Sequence, residues 1–329
     1  MPLISSHEIN RSLYSFRALA CLGVFLIHAS LPGAVGVIVT VTSRWAVPFF
    51  FLTSGYFAYG AEQSKIKLRA KKTLHLFVKW LIFYVCINWI VLLQQGKLGL
   101  LLKNALDFSN WLYFFACNWV TPFAGCGHLW YVFALLYVYT VFTHIKVGSW
   151  VSKIPLLVGA ALAFVWCFQT VNVLFGLCIN NVIWRNWLFE GIPLFLLGYW
   201  IAWKTIEGEQ LLDWRPFAGL ASLAILILFV ELLLFRSSVV EVELPISAFV
   251  VSFGIFWWSV NNPEWARLSW VGMHLADKVY LIHYSFLMLL WGFTPLTGWL
   301  GSYLTALVAI VFSCAIAIMW DIISSKRSV

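Results

Sequence analysis

The sequence predicts an all-α, polytopic integral membrane protein of about ten transmembrane helices, both termini cytoplasmic. Three observations carry this reading: an extreme composition, apolar runs of spanning length throughout, and a lopsided placement of Lys and Arg between the runs. Of the 329 residues, 62% are hydrophobic and 10% charged, whereas soluble domains are about half apolar and about a quarter charged. The 20 Trp and 12 Tyr suit rings placed at helix ends, at the membrane–water boundary.

A hydrocarbon core of about 30 Å takes about 20 mostly apolar residues per helix. On that ruler the spans run at 12–30, 44–60, 74–94, 128–144, 154–170, 187–203, 217–235, 246–260, 278–293 and 302–323. The stretch 98–119 is apolar but broken by Lys103, Asp107 and Asn110, so it reads as an interfacial or re-entrant piece. There is no soluble domain, low-complexity linker or internal repeat, and the chain reads as one membrane-embedded domain, 1–329. The first apolar stretch has no small-residue cleavage site after it, so it is expected to stay as a helix rather than leave as a signal peptide.

Orientation follows from the basic residues. With the N-terminus inside, 14 of the 21 Lys and Arg fall in inner segments and 5 in outer ones, namely Arg44, Lys97, Lys103, Arg185 and Arg236. Arg17 and Lys79 lie within spans. This is the positive-inside pattern. The net charge of +8 does not suggest a nucleic-acid partner, because the cations punctuate apolar runs instead of sharing one solvated face; membrane lipids are their expected surroundings. The 7 Cys form no CxxC pair and no metal-ligand spacing, so no metal is expected. Cys117 and Cys126 share an outer loop, which leaves a disulfide between them open.

Ionisable groups inside spans are costly and point to function. The first helix holds Arg17 and His28. Eleven steps of about 100° end roughly 20° beyond three full turns, so both side chains leave one face, about 16 Å apart along the axis. A cation therefore stands near the cytoplasmic end of a stripe and an imidazole in its outer half. Taken singly, Arg17 also suits snorkelling to the interface and His28 a hydrogen bond to a neighbouring helix. The run Lys65-Ile-Lys67-Leu-Arg69-Ala-Lys71-Lys72 serves as a topology determinant, and its sharper reading is a phosphate cradle at the cytoplasmic mouth. His128, Glu190, Glu231 and His283 are further polar groups at or within spans; packing or capping accounts for the two histidines individually, and Glu231 has no evident partner.

Several phrases carry a family resemblance. Ser15-Phe-Arg17-Ala-Leu-Ala-Cys-Leu-Gly-Val-Phe-Leu-Ile-His28 resembles the first helix of the acyltransferase 3 family of membrane-bound O-acyltransferases, an arginine and a histidine separated by ten residues. Pro48-Phe-Phe-Phe-Leu-Thr-Ser54-Gly55-Tyr56 is similar to that family's second-helix phrase, and His128-Leu-Trp130-Tyr-Val to its entry into a later helix. Phe195-Leu-Leu-Gly198-Tyr and Val279-Tyr-Leu-Ile-His283 match weaker phrases, all in family order across nearly the whole chain. By length the chain is similar to the family's small members.

The resemblance implies a ten-helix enzyme of the bacterial cytoplasmic membrane that moves an acyl group, commonly acetyl from acetyl-CoA, to a hydroxyl of an extracytoplasmic or lipid-linked glycan. It implies no bound cofactor, with acetyl-CoA or another acyl-CoA as donor substrate. His28 is the expected catalytic residue and Arg17 its companion. Lys67, Arg69, Lys71 and Lys72 are the expected donor-binding group, with Arg69-Ala-Lys71 an approximate match to the family's basic motif. Ser54, Tyr56, His128, Trp130, Glu190 and His283 complete the candidates. One departure stands out: many members carry an Asp three residues before the arginine, where this chain has Tyr14, so Arg17 must be neutralised differently or left free for a ligand anion. Two other classes fit a polytopic chain with intramembrane charge. One is a transporter or flippase for a lipid-linked sugar, though the inverted repeats and broken-helix pairs common there are not visible. The other is a structural or sensory protein without turnover, which leaves the ordered phrases to coincidence.

Overall fold

The computed structural model describes residues 10–206, 215–293 and 298–326, and among them there is helix and no strand. Lipid offers no partner for backbone N–H and C=O, and a helix satisfies both within itself. In chain order the helices are α1 (Arg11–His28), α2 (Gly33–Ser43), α3 (Ala46–Tyr56), α4 (Gln63–Gln94), α5 (Leu98–Leu106), α6 (Phe108–Cys117), α7 (Thr121–Ala124), α8 (Trp130–Phe142), α9 (Ile154–Leu174), α10 (Ile192–Ile206), α11 (Arg215–Phe235), α12 (Ile246–Asn261), α13 (Ser269–His274), α14 (Ala276–Phe293) and α15 (Gly298–Lys326). Among the described residues, four stretches are individually long and apolar enough to cross a membrane: Gly33–Tyr56, Gln63–Gln94, Trp150–Leu174 and Leu300–Ser325. Each apolar segment expected from the sequence falls on a helix. Arg327, counted among the inner cations, lies outside the described residues.

The second span needs correcting. It was expected at 44–60, with Arg44 in an outer loop, but the apolar stretch begins at Gly33 and runs to Tyr56. Arg44 therefore stands mid-span, at the break between α2 and α3. An unpaired arginine there is costly, which is why apolarity alone placed the boundary at it. The structure gives it a partner: its side chain is 9% exposed and its Nη1 donates to Glu243 Oε2 at 2.8 Å.

Aromatic side chains fill the centre, where α1, α3, α4, α8, α10, α12 and α14 meet. Phe49, Phe51 and Tyr84 are fully buried, and Phe77 stacks on Phe133 with centroids 4.2 Å apart. Between helices in lipid, such contacts stabilise through close packing rather than water exclusion. A close, two-sided approach joins α3 to α10. A Cβ on Gly55 would stand 1.9 Å from the Phe195 carbonyl oxygen, and one on Gly198 would stand 1.9 Å from that of Leu52. The glycines of two sequence phrases thus meet reciprocally at one crossing. On the periphery, Leu156 of α9, Ile225 of α11 and Leu307 of α15 are 77%, 69% and 58% exposed, apolar surface that suits lipid.

Short helices frame the bundle. α5 and α6, the expected interfacial piece, are too short to cross a membrane, and Asp107 caps α6 through Ser109 N at 2.9 Å. A π-helical turn, Trp187–Gly191, leads into α10. Asn186 caps it at Leu188 N and Phe189 N, and Pro193 just beyond has no N–H to close a regular turn. That turn rotates Glu190 inward. Glu231, unpartnered in the sequence, accepts from the Ile246 N–H at 2.7 Å and from the Ser247 hydroxyl, so it satisfies the N-terminus of α12.

Candidate active site

α1 ends at His28, α8 is entered through His128, and α14 carries His283 in its interior. These positions bring three imidazoles together, with ring centroids 5.7 Å apart for His28 and His283, 6.1 Å for His28 and His128, and 4.9 Å for His128 and His283. Tyr284 closes the group, 5.1 Å from His28 and stacked on His128 at 5.3 Å. His283 Nδ1 lies 2.8 Å from the Tyr280 carbonyl oxygen. A carbonyl only accepts, so Nδ1 carries the hydrogen and the neutral ring keeps its lone pair on Nε2, an atom that is buried without a partner. Both ring nitrogens of His128 are likewise buried and unpartnered, although its backbone carbonyl accepts from the Tyr280 hydroxyl at 2.5 Å. His28 is only half-buried.

His28 opens on a chamber of about 40 Å3 lined also by His128, Trp130, Glu190, Tyr280, Arg44, Arg185 and Glu243. Glu243 is the hub of its charges. It accepts from Arg44 Nη1 at 2.8 Å and from Arg185 Nη1 at 3.5 Å, while the Arg185 Cζ lies 5.4 Å from the Trp130 ring centroid. Burial pushes the Glu243 carboxyl up, but the Arg185 and Arg44 guanidiniums outweigh it and hold the group below its ordinary 4.5. Glu190, 3% exposed, faces the same two cations across the chamber. The Nε atoms of Arg44 and Arg185 are buried donors without a protein partner.

A second cavity, of about 450 Å3, is lined by Arg17, Arg69, Lys72, Ser54, Tyr131 and Asp277, and Tyr280 lines both this cavity and the His28 chamber. A side pocket of about 170 Å3 shares Arg17, Arg69, Ser54 and Tyr131 with it. Arg69 is anchored by an Nη1 donor bond to the Phe57 carbonyl at 2.8 Å. Arg17 pairs with Asp277 at the start of α14, and its Cζ lies 6.0 Å from the Tyr14 ring centroid. The missing helix-one acid is thus replaced from another helix, while Tyr14 offers a ring face.

A family model described as an acyltransferase domain matches residues 10–320. The chain belongs to the acyltransferase 3 family. No curated protein and no solved structure matches it. The protein is therefore a multi-pass membrane acyltransferase, and its polar interior acquires a chemical context: acyl transfer needs a proton acceptor for the incoming nucleophile and donors for a developing oxyanion.

Against that need, the acyltransferase sorts its sequence candidates into three groups. His28, His128, Trp130 and Glu190 line the chamber, with His283 packed behind His28. Arg17, Ser54, Arg69 and Lys72 line the larger cavity; Ser54 Oγ lies 3.4 Å from Tyr131 Oη. Lys67 and Lys71 point to exposed surface outside both, and Tyr56 packs between Phe57 and Phe256. Sequence reasoning missed Asp277, Glu243, Tyr131 and Tyr280, and took Arg44 and Arg185 only as topology markers. Tyr131 and Tyr280 sat inside quoted phrases, so the phrases held the signal; Asp277 looked like an ordinary acid in a first helical turn.

Proposed function

We propose that this acyltransferase moves acetyl from acetyl-CoA to a hydroxyl of an extracytoplasmic or lipid-linked glycan, crossing a bacterial cytoplasmic membrane ten times with both termini inside. The observation that carries this reading is Tyr280, shared between a cation-lined cavity and the small His28 chamber. Arg69, Lys72 and Arg17 suit the phosphates of a nucleotide thioester. The chamber, at about 40 Å3, is far smaller than the cation-lined cavity, at about 450 Å3, and suits a short acyl group better than a long one.

In the proposed step His28 accepts the proton of the sugar hydroxyl, and the alkoxide oxygen attacks the thioester carbonyl. The donors of Arg185 and Arg44 favour the oxyanion, the C–S bond breaks, and the departing thiolate takes the proton back from His28. Labelled acetyl-CoA given to membranes with wild-type protein should label envelope glycan, and His28→Ala should lower that by at least about 100-fold at equal expression. Normal labelling by the mutant would remove His28 from the chemistry. No labelling by either would remove the donor or the acceptor.

A further inference from the structure

One further cavity borders the chamber. A basin of about 610 Å3 forms where Trp119 after α6, the turns after α9 and the 3-10 turn Arg236–Glu241 come together, and Arg185 and Glu243 line both it and the His28 chamber. Its wall is braced: the Asn172 side chain accepts from Ile179 N at 2.9 Å and donates to the Ile179 carbonyl at 3.1 Å. Asn181 and Glu241 also line it, and among the described residues their side chains take part in no hydrogen bond or ion pair. Arg185 adds the buried Nε donor at the seam.

An amide, carboxylates, a guanidinium N–H and an indole ring are complementary to a ligand whose groups both donate and accept and whose ring has an apolar face. Sugars have both features. Glu241 and Glu243 offset Arg185 and the Arg44 that pairs with Glu243, so the basin has no excess of positive charge to draw a phosphate or an acidic sugar. The three segments that build it are also ones the charge distribution puts outside the membrane, whereas Arg69 and Lys72 belong to the inner cluster.

We infer that the basin binds a neutral sugar unit of the acceptor and presents its hydroxyl to His28 past Arg185 and Glu243, an inference that rests on the proposed transfer to a glycan. The test uses full-length protein in lipid nanodiscs, labelled acetyl-CoA, and glycan extracted from the envelope as the probe. Asn181→Ala removes an amide, and Glu241→Gln a carboxylate charge, that the fold does not use. Each should raise the acceptor KM about fivefold to tenfold, the worth of one hydrogen bond, and leave the acetyl-CoA KM unchanged. Wild-type labelling of glycan with an unaltered acceptor KM in both variants would overturn the basin alone. A shifted acetyl-CoA KM with an unaltered acceptor KM would assign the basin to the donor. Wild-type turnover of acetyl-CoA with label appearing on protein or lipid hydroxyls instead of glycan would overturn the transfer reading and the basin with it.

Discussion

Two ion pairs in this acyltransferase share a chemistry and differ in surroundings, and the difference decides what each one does. The Arg17 and Asp277 side chains are 27% and 61% exposed; such a pair contributes at most about 1 kcal/mol to stability, so its consequence is the aim of the guanidinium into the large cavity. Arg17→Lys keeps the charge and loses the planar fork; it is expected to raise the acetyl-CoA KM about tenfold with little change in acceptor KM or melting temperature, and an unchanged donor KM would remove Arg17 from donor binding. Arg44 and Glu243 are 9% and 15% exposed, where deleting one partner strands the other charge at a cost of about 3–5 kcal/mol. Glu243→Gln should therefore lower the melting temperature clearly. The sign with pH follows from the depressed carboxyl: its stabilisation is complete above the ordinary 4.5 and is lost as pH falls through the lower folded-state value. The wild type should lose stability on acidification below about pH 4.5 more steeply than the Gln variant, as read by thermal melts across that range.

At the scale of elements, the crossing of α3 and α10 explains why two separate sequence phrases each carry a glycine just before their final tyrosine. Gly55→Ala or Gly198→Ala would drive a methyl into a backbone carbonyl, which cannot retreat as a side-chain tip can, so each should cost about 1–3 kcal/mol or more. Gly99 is the control: no atom lies within 4 Å of an added Cβ, and Gly99→Ala should leave the melt unchanged or raise it slightly. Equal melts for Gly55→Ala and Gly99→Ala would contradict the close crossing. The phrases were legible because each was contiguous; that Gly55 meets Gly198 was not, since pairing lies between helices. The helices themselves could be read from apolar run length. The break at Arg44 could not, because a buried charge lowers local apolarity just as a loop does, and only its distant partner Glu243 tells the two apart. The π-turn that sets Glu190 was hidden for a related reason, as its cap at Asn186 and the missing N–H at Pro193 read in sequence as an ordinary helix start.

Across the whole molecule, the correction at Arg44 sharpens the charge asymmetry, since it removes one cation from the outer set and adds none to the inner. The cavities follow the same division, with Lys72 lining the one that holds Arg17 and Arg69 and Cys178 standing exposed on the rim of the basin. This gives the proposed orientation a direct reading. A membrane-impermeant maleimide should label wild-type protein in right-side-out vesicles, and Cys178→Ser should reduce that labelling. Lys72→Cys, on the Cys178→Ser background, should add label only in inside-out vesicles. Buried Cys21 and Cys126 need no replacement, because each comparison is a difference between two chains that share them. If the accessibilities were exchanged, the cationic cavity would open away from the cytoplasm, where no acyl-CoA is available to it, and the direction of transfer proposed for His28 would be wrong. If both positions reacted from the same side, the two cavities would share one mouth, and a donor and an acceptor arriving from opposite sides of the membrane could not meet at the chamber between them.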